Sequence, residues 1–171
     1  QKLLGTCRSR YQEVGSKLAS QFQECIEDGE DGRGEILSQR DVYAEKIRPH
    51  LEDTKTAYLL VDALRYEMAR DLVSGLGERF DSKVEPALGV LPGITEIGMA
   101  ALMPGAEGDT EVVRVGEGKL GLRIGDEILR TRQDRIDWME KRVNADVFSV
   151  HLHDLFPAPP RDVKEGIHEA G

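Results

Sequence analysis

Apolar side chains at Leu4, Cys7, Tyr11, Val14, Leu18, Phe22 and Ile26 return every three or four positions, with polar residues between them. That spacing gathers the apolar groups on one side of a helix and predicts an amphipathic helix over 3–26, about six turns long. The acidic, glycine-rich stretch over 28–34 predicts a loop. A second helix is expected over 38–49, with Val42, Tyr43, Ile47 and Leu51 on its inner side.

The pattern changes at residue 56. TAYLLV over 56–61 is a short, nearly continuous apolar run, which fits a strand buried on both faces, as in a parallel sheet. A helix is expected next, carrying Leu64, Met68, Leu72, Val73 and Leu76 on one face and ending near Gly75 and Gly77. A second strand over 80–86, a loop over 88–93 and a short helix over 96–103, stopped by Pro104 and Gly105, complete an α/β pattern. Farther on, 111–115 and 119–124 flank Gly116, Glu117 and Gly118 and predict a hairpin. Thr131 and Asp134 form a capping-box pattern before a helix bearing Ile136, Met139 and Val143. Residues 146–151 read as a strand, and Pro157, Pro159 and Pro160 as the end of regular structure. The chain divides into a helical segment, 1–53, and an α/β part, 54–171.

Composition narrows the function classes. The 171 residues are 39% hydrophobic, enough for a core, and hold no apolar run of the roughly 18 residues that a membrane span needs. No signal-peptide pattern is present, so a cytoplasmic location without membrane attachment is expected. A net charge of −9 argues against a free-standing nucleic-acid binder, though not against a nucleic-acid substrate held by metals or a partner subunit. Cys7 and Cys25, in register with the apolar face of the first helix, are expected to be buried thiols. The chain starts at Gln1 without a methionine, as expected of a processed or engineered chain or of part of a longer gene product.

Two residues carry candidate chemistry. Asp62 follows the apolar run directly, and the carboxyl end of a strand in an open parallel sheet is where ligand sites form. The plainer alternative is that Asp62 caps the next helix. Thr95 stands at the expected start of the short helix, where free amides favour an anion and where a metal could activate its hydroxyl. It too could simply be a cap. Gly98 within that helix implies close packing or close ligand approach, since it costs about 1 kcal/mol against alanine.

VDALRYEM over 61–68, followed by TEIGMAALMPG over 95–105, resembles the PglZ domain of the alkaline phosphatase superfamily. Both motifs come in the family's order, and the likeness is clearest over 56–105. The resemblance implies the N-terminal part of an alkaline phosphatase-like domain, a partial sheet with flanking helices. It implies that Asp62 ligates a divalent metal, usually zinc, and that Thr95 attacks phosphorus to form a covalent intermediate. Arg65, Tyr66 and Glu67 belong to the family pattern, with a role in either the metal site or the fold. The chain departs from the pattern at Gly93 and Ile94, where a polar or small residue usually precedes the threonine. It also lacks the later Asp-His pair followed by Gly that supplies further metal ligands, so a two-metal site is incomplete here. His151 and His153, with Asp154 beside them, share a face of the expected strand and are a weaker metal pair; His50 and His168 read as surface residues.

The reading is therefore a fragment of a metal-dependent phosphoryl-transfer hydrolase, a phosphatase, phosphodiesterase or nuclease. The resemblance places it beside PglZ of bacterial phage-defence (BREX) systems, with other defence proteins as partners and a phosphate ester or nucleic acid as substrate. Some relatives are instead joined to signalling response regulators. The alternative is a non-catalytic module that docks partner proteins of a defence or signalling complex. In either case the chain by itself is expected to be inactive.

Overall fold

The structure, a computed structural model, describes residues 2–27, 36–52 and 54–170. The expected acidic loop over 28–34 lies outside the described residues. The chain separates into two compact units, Gln1–Glu35 and Ile36–Gly171.

The first unit is one long helix, α1 (Lys2–Glu27), as the apolar spacing predicts. Leu4, Tyr11, Val14, Leu18 and Phe22 along it are exposed, and so are both thiols, contrary to the burial expected of Cys7 and Cys25. The periodicity correctly marks a helix face, but among the described residues of the unit nothing covers that face.

The second unit is built around α3 (Thr95–Ala100) and a three-stranded antiparallel sheet, β3 (Thr110–Arg114), β4 (Leu120–Ile124) and β5 (Glu127–Leu129). β3 and β4 form the expected hairpin, with Gly116 and Gly118 at positive φ in its turn. Gly125 takes a positive φ in the two-residue turn from β4 to β5, a strand the sequence reading did not include. Helix α4 (Arg132–Arg142) starts with the expected capping box. The Thr131 hydroxyl accepts from the Asp134 amide at 3.1 Å, and the Asp134 carboxylate accepts from the Thr131 amide at 2.7 Å.

Ile97, Ala100 and Ala101 from α3 and its end pack with Met103, Ala106, Leu122, Ile124, Leu129 and Trp138 into one core. Trp138, almost wholly buried, donates from its indole to Pro104 O at 2.7 Å, so its polar edge is paired inside the core. Gly105 adopts a φ of +87°, and a Cβ there would touch Ile124 at 3.4 Å; the chain leaves α3 through a position suited to glycine.

Several expected elements take another form. Residues 56–61 are not a strand: the segment has no ladder partner, and Leu59, Leu60 and Val61 are exposed. An apolar run encodes a readiness to pair, but a strand exists only where another chain segment supplies the hydrogen bonds. Residues 80–86 also lack strand pairing. The parallel contact falls just after them, where β2 (Ala87–Leu88) pairs with β1 (Leu37–Ser38), and it is two residues long. Among the described residues there is thus no extended parallel sheet; helices coexist with two small sheets. The expected helix over 38–49 is a chain of short turns, 3-10 at Gln39–Asp41 and Arg48–His50 and π-helical at Tyr43–Ile47, with Tyr43 buried. Helix α2 (Tyr66–Leu76) forms, but it starts after Leu64 and buries none of its residues. Residues 146–151 are irregular, and the prolines at 157–160 lead into a further helix, α5 (Arg161–Glu169), because Pro160 can precede a helix where no amide is needed. α5 passes so close to the Phe148 ring at Gly166 that a Cβ there would clash.

Candidate active site

Asp62 and Thr95 meet. The Thr95 hydroxyl donates to the Asp62 carboxylate, 3.2 Å from Oδ2 and 3.3 Å from Oδ1, across 33 positions of sequence. Both residues are exposed, so the pair lies open to solvent and to any ligand.

The two sides of this contact are held differently. Thr95 is the first residue of α3, whose other side carries Ile97 and Ala100 into the core. The helix is further fixed by Gln39, whose side-chain amide donates to Gly98 O at 3.0 Å and accepts from the Val90 amide at 3.0 Å. A Cβ at Gly98 would meet the Gln39 side-chain amide at 3.5 Å, an ordinary contact, so the space beside Gln39 does not by itself require glycine. Arg40 adds hydrogen bonds to Ala106 O and Gly108 O, on the chain that leaves α3. Thr95 thus stands on a rigid platform.

Asp62 sits in the turn between the extended segment and α2. Ala63 directly after it has a φ of +54°, the left-handed region that a Cβ disfavours. Tyr58 ties this segment to the core unit: its hydroxyl donates to Leu102 O at 3.1 Å, with its ring beside Tyr43 at 6.3 Å between centroids. Burial, then the nearby Tyr43, pushes the Tyr58 phenol well above its ordinary pKa, so it stays a donor. Tyr58 and Gln39 were not singled out by sequence reasoning. Each is a tertiary contact with no local pattern.

The capping alternatives can now be judged. The cap of α2 is Arg65, that of α3 is Ile94, and neither helix start has a side-chain cap. Asp62 and Thr95 are free of that duty and bond to each other. Arg65, Tyr66 and Glu67 are exposed at the start of α2, and none joins the Asp62–Thr95 contact. His151 and His153 lie 5.2 Å apart between ring centroids at a 3-10 turn, Leu152–Leu155, and His153 pairs with Asp154 at 2.8 Å.

The pair offers a divalent cation one carboxylate and one hydroxyl, hard oxygen donors suited to such an ion. Among the described residues no group of three or more His, Cys, Asp or Glu side chains is placed to hold a metal. The donors fit as part of a site and do not complete one.

Comparisons with known proteins agree with the two motifs. A family model described as the BREX system PglZ alkaline phosphatase-like domain matches residues 42–169. The alkaline phosphatase-like protein BrxZ of Escherichia coli O9:H4 (strain HS) is 37% identical over 74 residues, 40% of this chain and 9% of BrxZ. The alkaline phosphatase-like protein PglZ of Bacillus cereus (strain H3081.97) is 33% identical over 72 residues, 40% of this chain and 8% of that protein. The matched stretch thus spans less than a tenth of either relative. No solved structure matches the chain. With the family model covering well over half of its length, the chain belongs to the PglZ family of BREX-system alkaline phosphatase-like domains.

Proposed function

We propose that this chain contributes the nucleophile and one metal ligand to a phosphoryl-transfer site that is completed by other parts of a longer protein. The observation that carries the reading is the contact of Thr95 Oγ1 with the Asp62 carboxylate, two residues from separate motifs brought together on an exposed surface. Asp62 would hold a divalent metal, zinc by the resemblance, and Thr95 Oγ1 would lie beside it. A bound metal supplies positive charge that lowers the pKa of a neighbouring hydroxyl and offsets charge on phosphoryl oxygens. Thr95 Oγ1 would attack phosphorus as the P–O bond to the leaving alcohol breaks, and water would then release the phosphate from the threonine. The rigid seat of α3 suits a nucleophile that must be held in line with the bond it breaks. Substrates would be phosphate esters or phosphodiesters, nucleic acid included, and the setting a cytoplasmic phage-defence complex.

A second reading has its own support. Leu59, Leu60 and Val61, which precede Asp62 in the chain, and Met68 and Leu72 on α2 are exposed apolar side chains suited to protein contact. On that reading the domain docks other defence proteins and performs no catalysis. Thr95→Ala in the complete protein separates the two: phage protection is lost if Thr95 is the nucleophile and is retained if the domain only docks partners.

A further inference from the structure

Helix α1 (Lys2–Glu27) has a face that no other described residue of its unit covers. Leu4 is 75% exposed and Tyr11 81%, with Val14, Leu18 and Phe22 also open. Helices in proteins draw most of their stability from packing an amphipathic face, so the apolar face of α1 is the part that needs cover. Positions 4, 7, 11, 14, 18, 21 and 25 alternate steps of three and four, which is the seam of a coiled coil. Leucine, cysteine, tyrosine, valine and leucine fill the first five, Gln21 is polar, and Cys25 ends the seam.

Charge along the helix selects the direction of pairing. Lys2, Arg8, Arg10 and Lys17 oppose only Glu13 in the first 17 residues, whereas Glu24 and Glu27 are the only charges from 18 to 27. No acidic residue lies in the first turn and no basic one in the last, so the charges also run against the helix dipole. Two such helices side by side in parallel would place basic end on basic end. Turned head to tail, each basic half meets an acidic half.

We propose that α1 pairs with α1 of a second copy of this chain as an antiparallel coiled coil that sets Cys7 of each copy against Cys25 of the other. In this register Val14 faces Leu18, Tyr11 faces Gln21, and Arg10 flanks Glu24, all across the pair. Sliding by one heptad toward the N-terminus would set Arg10 beside Lys17 instead. At the centre Lys17 approaches Lys17 of the second copy, and each already reaches Glu13 of its own helix at 3.4 Å.

The test uses the 171-residue chain under reducing conditions. It should sediment at twice its 19.0 kDa mass, and Val14→Glu with Leu18→Glu should make it monomeric. Unchanged Trp138 fluorescence would show that the second unit is intact. On adding a thiol oxidant such as diamide, the wild type should become a disulfide-linked dimer. Cys7→Ser and Cys25→Ser alone should each fail to link, and a mixture of the two should link again. A wild-type monomer at high micromolar concentration would overturn the pairing, and efficient linking within either single-cysteine variant would overturn its antiparallel direction.

Discussion

Thr95 donates to both oxygens of Asp62, so one hydroxyl on a helix anchored in the core is shared across a carboxylate on an exposed turn. One partner is fixed by packing, and the other sits on an exposed segment held by the Tyr58 tether and followed by a strained residue. That asymmetry shapes the predictions for the site and its surroundings.

Ala63 carries the strain. Its φ of +54° is one that glycine adopts without a Cβ penalty. Ala63→Gly should stabilise the fold by about 0.5–1 kcal/mol where relief of the left-handed conformation outweighs the added freedom of the unfolded chain. Urea denaturation at neutral pH measures it, and a loss of stability would show that the turn gains nothing from glycine.

Loss of the Tyr58 hydroxyl should loosen the segment that presents Asp62. Tyr58→Phe removes the bond to Leu102 O and leaves that carbonyl part-buried without its donor, a cost of about 1 kcal/mol. Faster amide exchange over 56–63, with exchange in β3 and β4 unchanged, is the expected signature.

The capping box of α4 predicts a pH dependence. Burial raises the Asp134 pKa, but the amides of Thr131 and Arg130 and the Thr131 hydroxyl outweigh it, and the net shift is below the ordinary 3.8. A carboxylate with a lowered folded pKa stabilises the protein above its unfolded pKa and loses that contribution as pH falls through the folded one. The stability difference between wild type and Asp134→Asn should therefore be constant near neutrality and shrink below about pH 4. Thr131→Ala should cost about 1 kcal/mol at pH 7.

The core beneath α3 makes a harsher demand. Trp138→Ala removes a nearly fully buried ring and leaves Pro104 O without its indole donor. About 3–5 kcal/mol should be lost, enough to unfold a marginal domain. Thermal melting with near-ultraviolet dichroism reads this directly.

Local signals in the sequence were legible, and those that depend on distant partners were not. Gly116 and Gly118 announced a hairpin turn, and Thr131 with Asp134 announced a helix start, because each acts on its own neighbours. Gly125 and Asp126 carry a similar turn signal before β5, weaker because no long strand pattern follows it. The apolar run over 56–61 reads as a strand, yet it stays unpaired because strand pairing is not written in the strand alone. Cys7 and Cys25 show the same limit: helical spacing marks a face without saying what covers it. Asp62 and Thr95 were each compatible with an ordinary helix cap. It was the paired motifs that set them together, and the structure then placed them in contact.

The central claim is that Asp62 and Thr95 belong to a metal-dependent phosphoryl-transfer site that this chain begins but does not finish. Metal binding to the complete protein, followed by calorimetry with zinc and manganese for wild type, Asp62→Ala and Thr95→Val, tests it most directly. The account predicts binding by the wild type, loss in Asp62→Ala, and retained or modestly weakened binding in Thr95→Val with phosphodiesterase turnover abolished; the 171-residue chain alone should show no turnover. Equal metal affinity in wild type and Asp62→Ala, or undiminished turnover in Thr95→Val, would contradict it.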